Sequence, residues 1–256
     1  MQQSIQVRNI IIGSGIPKIC VSIIEKTKKE IWKQAEKISA CGCDLLEWRI
    51  DWYQEEREEE DIIHILKHIR EIIKEMPLLV TLRTKKEGGE EEINFEDYQK
   101  QMLFLSSCGY VDIIDIEAFS FGRDMKTLIK QIQKNHCLVI ASYHDFFQTP
   151  SKKEILNRLI SMQDLNADII KIAVMPKEKK DVIILLDATQ EMLEKYAVKP
   201  IITMSMNGMG CISRICGELT GSAVTFASVG TASAPGQLPI QELKTTLELI
   251  HRQFIS

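Results

Sequence analysis

The chain has 256 residues, 45% of them hydrophobic and 27% charged, with a formal net charge of −4. This length suits one large core, and the slight acidity gives no electrostatic footing for nucleic acid or an anionic membrane surface. No stretch approaches the roughly 18 uninterrupted apolar residues of a membrane span, so the expected partner is a small molecule, with no nucleic acid and no membrane.

The opening MQQSIQVRN lacks the basic and apolar regions of a secretory signal. Seven scattered cysteines, of which only Cys41 and Cys43 stand close and without zinc-knuckle spacing, predict reduced thiols and a cytoplasmic location. SIQVRNIIIGSGIP reads as a small hairpin that plugs the lower end of the structure behind it, and GSG at 13–15 is a turn signal only.

From residue 18 onward, β-branched apolar runs alternate with stretches of helical period. Strands are expected near 18–24, 44–50, 77–83, 111–117, 137–144, 168–174, 200–206 and 223–229. Helices are expected near 28–41, 60–75, 95–107, 123–134, 151–163, 179–195, 210–217 and 240–253. Eight such units predict an α/β fold, a closed (β/α)8 TIM barrel forming one domain over 1–256. An open doubly wound sheet is the rival, disfavoured by the unit count and by the lack of a glycine fingerprint after the first strand.

The acidic run QEEREEED at 54–61 reads as a solvated loop with carboxylates at a helix N-terminus. His64 and His68 have metal-compatible spacing, but they lie among charged residues with no HExxH pattern, so an exposed pair is expected.

Residues two apart share a strand face, and a barrel builds its site at the carboxyl ends of the strands. Ser22, Glu47 with Arg49, Thr81 with Arg83, Asp115 with Glu117, Ser142 with His144, and Lys171 fall in that position on successive strands. Glu47 and Arg49 can neutralise each other, Asp115 and Glu117 can serve either as anchors for Arg83 or Arg49 or in direct catalysis, and His144 can be a satisfied core histidine. The centre of the pattern is Lys171 in ADIIKIAV, where flanking isoleucines and nearby arginines favour the neutral, nucleophilic amine. With His144 as acid/base and Glu87, in the loop after the third strand, as its carboxylate, this constellation predicts a lyase, aldolase or dehydratase working through a Schiff base.

After the seventh strand, NGMG can be read as a phosphate-cradling turn. Arg214 with the Ser and Gln of ASAPGQ suits a carboxylate instead. Schiff-base chemistry on a phosphorylated sugar, and a barrel that only binds a carboxylated metabolite, stay open at this level.

EWRID at 47–51, TLRTKKEGGE at 81–90, ASYHDF at 141–146, IIKIAV at 169–174, ITMSM with SR at 202–214, and ASAPGQ at 232–237 together resemble the type I 3-dehydroquinate dehydratases. The resemblance implies syn dehydration of 3-dehydroquinate to 3-dehydroshikimate in the shikimate pathway, with no metal and no organic cofactor, in an enzyme commonly dimeric. It implies Lys171 as the Schiff-base lysine, His144 as acid/base and Glu87 as its partner. Ser22, Glu47, Arg49 and Arg83 resemble the residues that hold the ring hydroxyls and ketone, Arg214, Ser233 and Gln237 the carboxylate set, and Met204 with Met206 the apolar floor. Cys216, Thr220 and FASVG depart from the family's usual residues at positions expected to flank the site.

Overall fold

The computed structural model describes residues 4–55, 57–123 and 125–255. An antiparallel hairpin comes first, β1 (Ile5–Val7) and β2 (Ile10–Ile12). The barrel then starts with β3 (Lys18–Ile23), α1 (Lys28–Ala40), β4 (Leu45–Arg49), α2 (Glu59–Ile73), β5 (Leu78–Thr81) and α3 (Phe95–Ser107). It continues through β6 (Ile113–Glu117), α4 (Lys126–Lys134), β7 (Leu138–Asp145), α5 (Lys152–Asp164), β8 (Ile169–Val174) and α6 (Lys179–Lys195). The last part holds β9 (Ile201–Ser205), α7 (Ile212–Ile215), α8 (Gly217–Thr220), β10 (Val224–Ser228), β11 (Leu238–Pro239) and α9 (Ile240–Phe254).

Strands β3 to β9 pair in parallel in chain order, with β10 beside β3 and the short β11 on its outer edge. The curled sheet is the expected TIM barrel. Its seam between β9 and β10 closes through one bridge rather than a ladder: the Ala223 N–H donates to the Ile201 carbonyl at 2.7 Å, and Ser222 Oγ accepts from the Thr203 N–H at 3.0 Å.

Local sequence explains the helices. Thr27 caps α1 by accepting from the Glu30 N–H, and Ile31, Ala35 and Ile38 give it one buried face. Ser151 and Glu154 form a reciprocal capping box that starts α5. The expected helix over 210–217 is instead a 3₁₀ turn, Gly208–Gly210, followed by the two single-turn helices α7 and α8. Ser213 Oγ donates to the Gly210 carbonyl at 2.7 Å and accepts from the Ser205 N–H at 2.9 Å, a side-chain competition that holds this segment against β9 in place of a continuous helix.

Period-two alternation sorts the strands into two cores. Outward residues such as Trp48, Val80, Ile116, Ile170 and Ile172 pack on the helices in one large cluster. Inward residues at the strand starts, among them Cys20, Leu45, Leu79, Ile113 and Ile169, form a second, lower cluster with Val7, Ile10 and Ile12 of the hairpin. The hairpin thus plugs the barrel bottom, and Arg8 in its turn bonds Asp112 at the foot of β6 at 2.6 Å. Each such buried Ile or Leu contributes about 1.5–3 kcal/mol. Above the lower layer the same inward face turns polar.

His64 and His68 lean on Trp32, with ring centroids 5.3 and 4.5 Å away, and no metal-holding group of His, Cys, Asp or Glu occurs among the described residues. In the acidic run, Glu56 lies outside the described residues, Arg57 pairs with Glu91, and Asp61 pairs with Lys28.

Candidate active site

The upper inward positions of the strands converge on one cavity, open at its mouth. Glu47 and Arg49 of β4, Arg83 just beyond β5, His144 of β7 and Lys171 of β8 line it, joined by Glu87, Ser233 and Gln237 from loops. Met204, Met206 and Phe226 supply an apolar wall. The strand register places Lys171 beside Ser142 and His144 beside Ala173, so both reactive side chains point inward from adjacent strands.

Lys171 is 4% exposed, and its Nζ donates to Asp115 Oδ2 at 3.1 Å. The isoleucine-flanked strand therefore carries its lysine against a buried carboxylate. Arg83 Nη2 donates to the other oxygen of Asp115 at 2.7 Å, and Ser142 Oγ lies 2.6 Å from the same atom. Burial pushes the Asp115 carboxyl up, but Arg83 and Lys171, with the hydrogen bonds from Ser142 and Arg83, hold it below the usual carboxylate range. Glu117 accepts from the Thr84 N–H and hydroxyl at 2.7 and 2.8 Å and lies 3.4 Å from Arg83 Nη1. Both β6 carboxylates anchor Arg83, and neither contacts Arg49.

His144 Nδ1 stands 3.0 Å from Glu87 Oε2, which also accepts the His144 backbone N–H at 3.0 Å. Glu87 closes a 3₁₀ turn, Lys85–Glu87, and Gly88 follows at φ +79°, where an added Cβ would lie 2.2 Å from the Phe146 ring. The glycine lets the chain turn there and aim the carboxyl inward. Burial pushes Glu87 up to about 8, against the pull of Arg83 and with Glu117 adding to the rise. Burial, then the positive charge of Arg83, Lys171 and Arg49, takes His144 well below the ordinary imidazole value. Both shifts have burial as their first cause, which disfavours charge on either group.

Glu47 and Arg49 do not neutralise each other. Glu47 Oε1 accepts from Thr81 Oγ1 at 2.7 Å and Oε2 from Ser22 Oγ, so Ser22 stands behind Glu47 rather than on the cavity wall. Arg49 forms a bidentate pair with Asp51, at 2.8 and 2.7 Å. Asp51 also accepts the Arg83 and Glu90 N–H groups, each at 3.2 Å, a clamp on two loops that no period in the sequence announces.

Arg214 is 1% exposed and has no carboxylate partner; its Nη2 donates to the Pro235 carbonyl at 3.0 Å and its Nε has no partner. Burial lowers it to about 10. It lies beneath the loop that carries Ser233 and Gln237, which satisfy each other: Gln237 Nε2 donates to Ser233 Oγ at 2.8 Å, and the Ser233 N–H to Gln237 Oε1 at 3.0 Å. The NGMG turn is explained by close backbone packing, since a Cβ on Gly210 would lie 2.2 Å from the Ser205 carbonyl oxygen. Cys216 and Thr220, expected to flank the site, are not on the cavity wall; Thr220 Oγ1 donates to the Cys216 carbonyl at 3.2 Å between α7 and α8.

The lysine and the histidine on its buried carboxyl line this cavity, whereas Arg214 lies beneath the Ser233–Gln237 loop and off the cavity wall. A family model described as type I 3-dehydroquinase covers residues 19–253. The chain belongs to the type I 3-dehydroquinase family. It is 46% identical over 252 residues to the 3-dehydroquinate dehydratase of Clostridioides difficile, covering 98% of this chain and 99% of that one. It is 45% identical over 248 residues to that of Listeria monocytogenes serotype 4a, covering 97% and 98%. Among solved structures, 3-dehydroquinate dehydratase from Geobacillus kaustophilus superposes with a TM-score of 0.94 at 35% identity, covering 98% of this chain and 97% of that one. As a type I 3-dehydroquinase the chain is an enzyme of the hydro-lyase class, acting on 3-dehydroquinate.

Proposed function

We propose that the dehydration runs through an imine at Lys171, with His144 moving the protons. The observation that carries this reading is the buried Lys171 amine and the Glu87-bound His144 imidazole on adjacent strands of one cavity. A solved relative from Clostridium difficile, 45% identical at a TM-score of 0.93 and covering 98% of this chain and 99% of that one, holds covalent modified comenic acid, which supports a nucleophile in this family's site.

Lys171 attacks as the free amine: its Nζ lone pair bonds the substrate ketone carbon, a proton shifts from nitrogen to the former carbonyl oxygen, that oxygen takes one further proton from solvent and leaves as water, and the nitrogen becomes part of an iminium. The iminium nitrogen is positive beside Asp115, so the buried carboxylate faces a cation once the bond has formed. His144 removes the proton from the carbon next to the iminium, and the released electron pair flows to nitrogen as an enamine. The electrons return as the ring hydroxyl departs with a proton from His144, and hydrolysis of the iminium frees product and Lys171. In this reading Glu87 orients His144. Glu47, Arg49 and Arg83, with Ser22 behind Glu47, hold the ring hydroxyls and ketone. Arg214 takes the carboxylate, assisted by Ser233 and Gln237 once these release each other. The chain's place in the shikimate pathway, a homodimer and a cytoplasmic location belong to the same reading.

Borohydride added during turnover of 3-dehydroquinate should leave a permanent mass increase on the peptide containing Lys171, absent in Lys171→Ala. Turnover by Lys171→Ala at the native rate sinks the proposal.

A further inference from the structure

Arg49 ends β4 on the cavity wall, and the chain passes at once into a 3₁₀ turn, Ile50–Trp52, that carries Asp51. The turn breaks the strand's alternation and brings the Asp51 carboxylate back onto the arginine two residues before it. Arg49 Nε donates to Oδ1 at 2.8 Å and Nη2 to Oδ2 at 2.7 Å. The Asp51 side chain is fully buried and stands off the cavity wall. Among the described residues no other carboxylate pairs with Arg49.

Donor and acceptor counts show what this pair leaves over. Each carboxylate oxygen offers two acceptor positions, and all are filled: Oδ1 by Arg49 Nε and the Arg83 N–H, Oδ2 by Arg49 Nη2 and the Glu90 N–H. The contacts to Arg49 are charge-assisted and shorter than the two backbone contacts at 3.2 Å, so the grip on the guanidinium is the stronger part. A guanidinium has five N–H groups, and Asp51 takes one from Nε and one from Nη2, along a single edge. Both N–H groups of Nη1 and the second of Nη2 are left for the cavity that Arg49 lines. A free arginine side chain would sample several rotamers there, and misplacement of a substrate contact by about 1 Å can cost on the order of 100-fold in rate.

We propose that Asp51 is a positioning residue: it grips one edge of the Arg49 guanidinium and so turns the other edge into the substrate cavity. The proposal rests on the reading of Arg49 as one of the residues that hold the ring hydroxyls and ketone. The backbone contacts of Asp51 also tie the end of β4 to the loop that carries Glu87, a role that would survive the loss of Arg49. A double-mutant cycle tells the two roles apart.

The measurement is steady-state turnover of 3-dehydroquinate by Asp51→Asn, Arg49→Ala and the two combined. Whichever way the new amide turns, its NH2 group faces donors, and one arm of the grip is lost. Asp51→Asn should lose about 10- to 100-fold in kcat/KM, and Arg49→Ala at least as much. In the Arg49→Ala background, Asp51→Asn should cost less than about threefold more, because no guanidinium is left to position. Arg49→Lys leaves Asp51 intact and keeps the charge, but offers no edge to grip, and should fall within about threefold of Arg49→Ala. Additive losses in the double variant, parental kcat/KM in Asp51→Asn, or parental kcat/KM in Arg49→Lys each overturns the assignment. Should Asp51→Asn not fold, Arg49→Lys decides by itself. Arg49→Ala keeps the two ideas apart: parental kcat/KM there strikes the reading of Arg49 and the role of Asp51 with it, whereas a loss there with none in Asp51→Asn strikes Asp51 alone.

Discussion

Lys171 Nζ stands 3.1 Å from Asp115 Oδ2, across two strands of the barrel, while Arg83 occupies the other oxygen of the same carboxylate at 2.7 Å. One buried anion therefore fixes the directions of two cations that face the substrate cavity. Its removal strands Lys171 and leaves Arg83 to Glu117.

Asp115→Asn should destabilise the fold by about 3–5 kcal/mol, because Lys171 stays buried with its partner charge gone. The sign with pH follows from the lowered Asp115 titration: its contribution is complete above the ordinary carboxylate range and is lost as pH falls through the depressed folded value. Urea unfolding should show the parent-to-variant gap constant near neutrality and closing in strong acid. A gap that widens in acid contradicts the assignment.

His144→Ala should separate the covalent step from the proton steps. Imine formation depends on Lys171, so trapped adduct should still appear, and should accumulate, while product formation falls by about 10²–10⁴. Mass spectrometry of the quenched reaction measures both. Absence of adduct would assign His144 to the bond-forming step as well.

Arg214→Met exchanges a buried cation without a carboxylate partner for an apolar side chain of similar length. The free protein should gain about 1–4 kcal/mol in stability, read by denaturant unfolding. Affinity for a carboxylated substrate analogue should fall by about 100-fold, since charge-assisted hydrogen bonds contribute about 1.5–3 kcal/mol each. Calorimetry of the two proteins with the same analogue checks the second half; unchanged affinity would remove Arg214 from the site.

Ile12→Ala probes the opposite end. Ile12 is fully buried in the lower cluster, far from the polar layer, so the change should cost about 2–5 kcal/mol of stability while leaving kcat and KM within about twofold. Kinetics run well below the variant's melting point tests that separation of plug from site.

Much of this was legible in the linear chain. Period two alone puts Glu47 with Arg49, Ser142 with His144, and Lys171 on inward faces, because a strand's side chains alternate whatever surrounds it. The eight units and the plugging hairpin follow from apolar periods and turn residues in the same way. Helix 210–217 was misread because the Ser213 hydroxyl competes with the backbone only once β9 lies beside it.

The sequence by itself determined the barrel, the inward placement of the reactive lysine and histidine, and the family, since each rests on local period or on ordered blocks of residues. Tertiary structure alone decided who pairs with whom. Asp115 meets Lys171 rather than Arg49, Arg49 meets Asp51 rather than Glu47, and Ser120 reaches Glu87 from a loop 33 residues away. Charge–charge and hydrogen-bond partners depend on distances of a few ångström, which the twist and closure of the sheet set, and alternation along one strand carries no information about those distances.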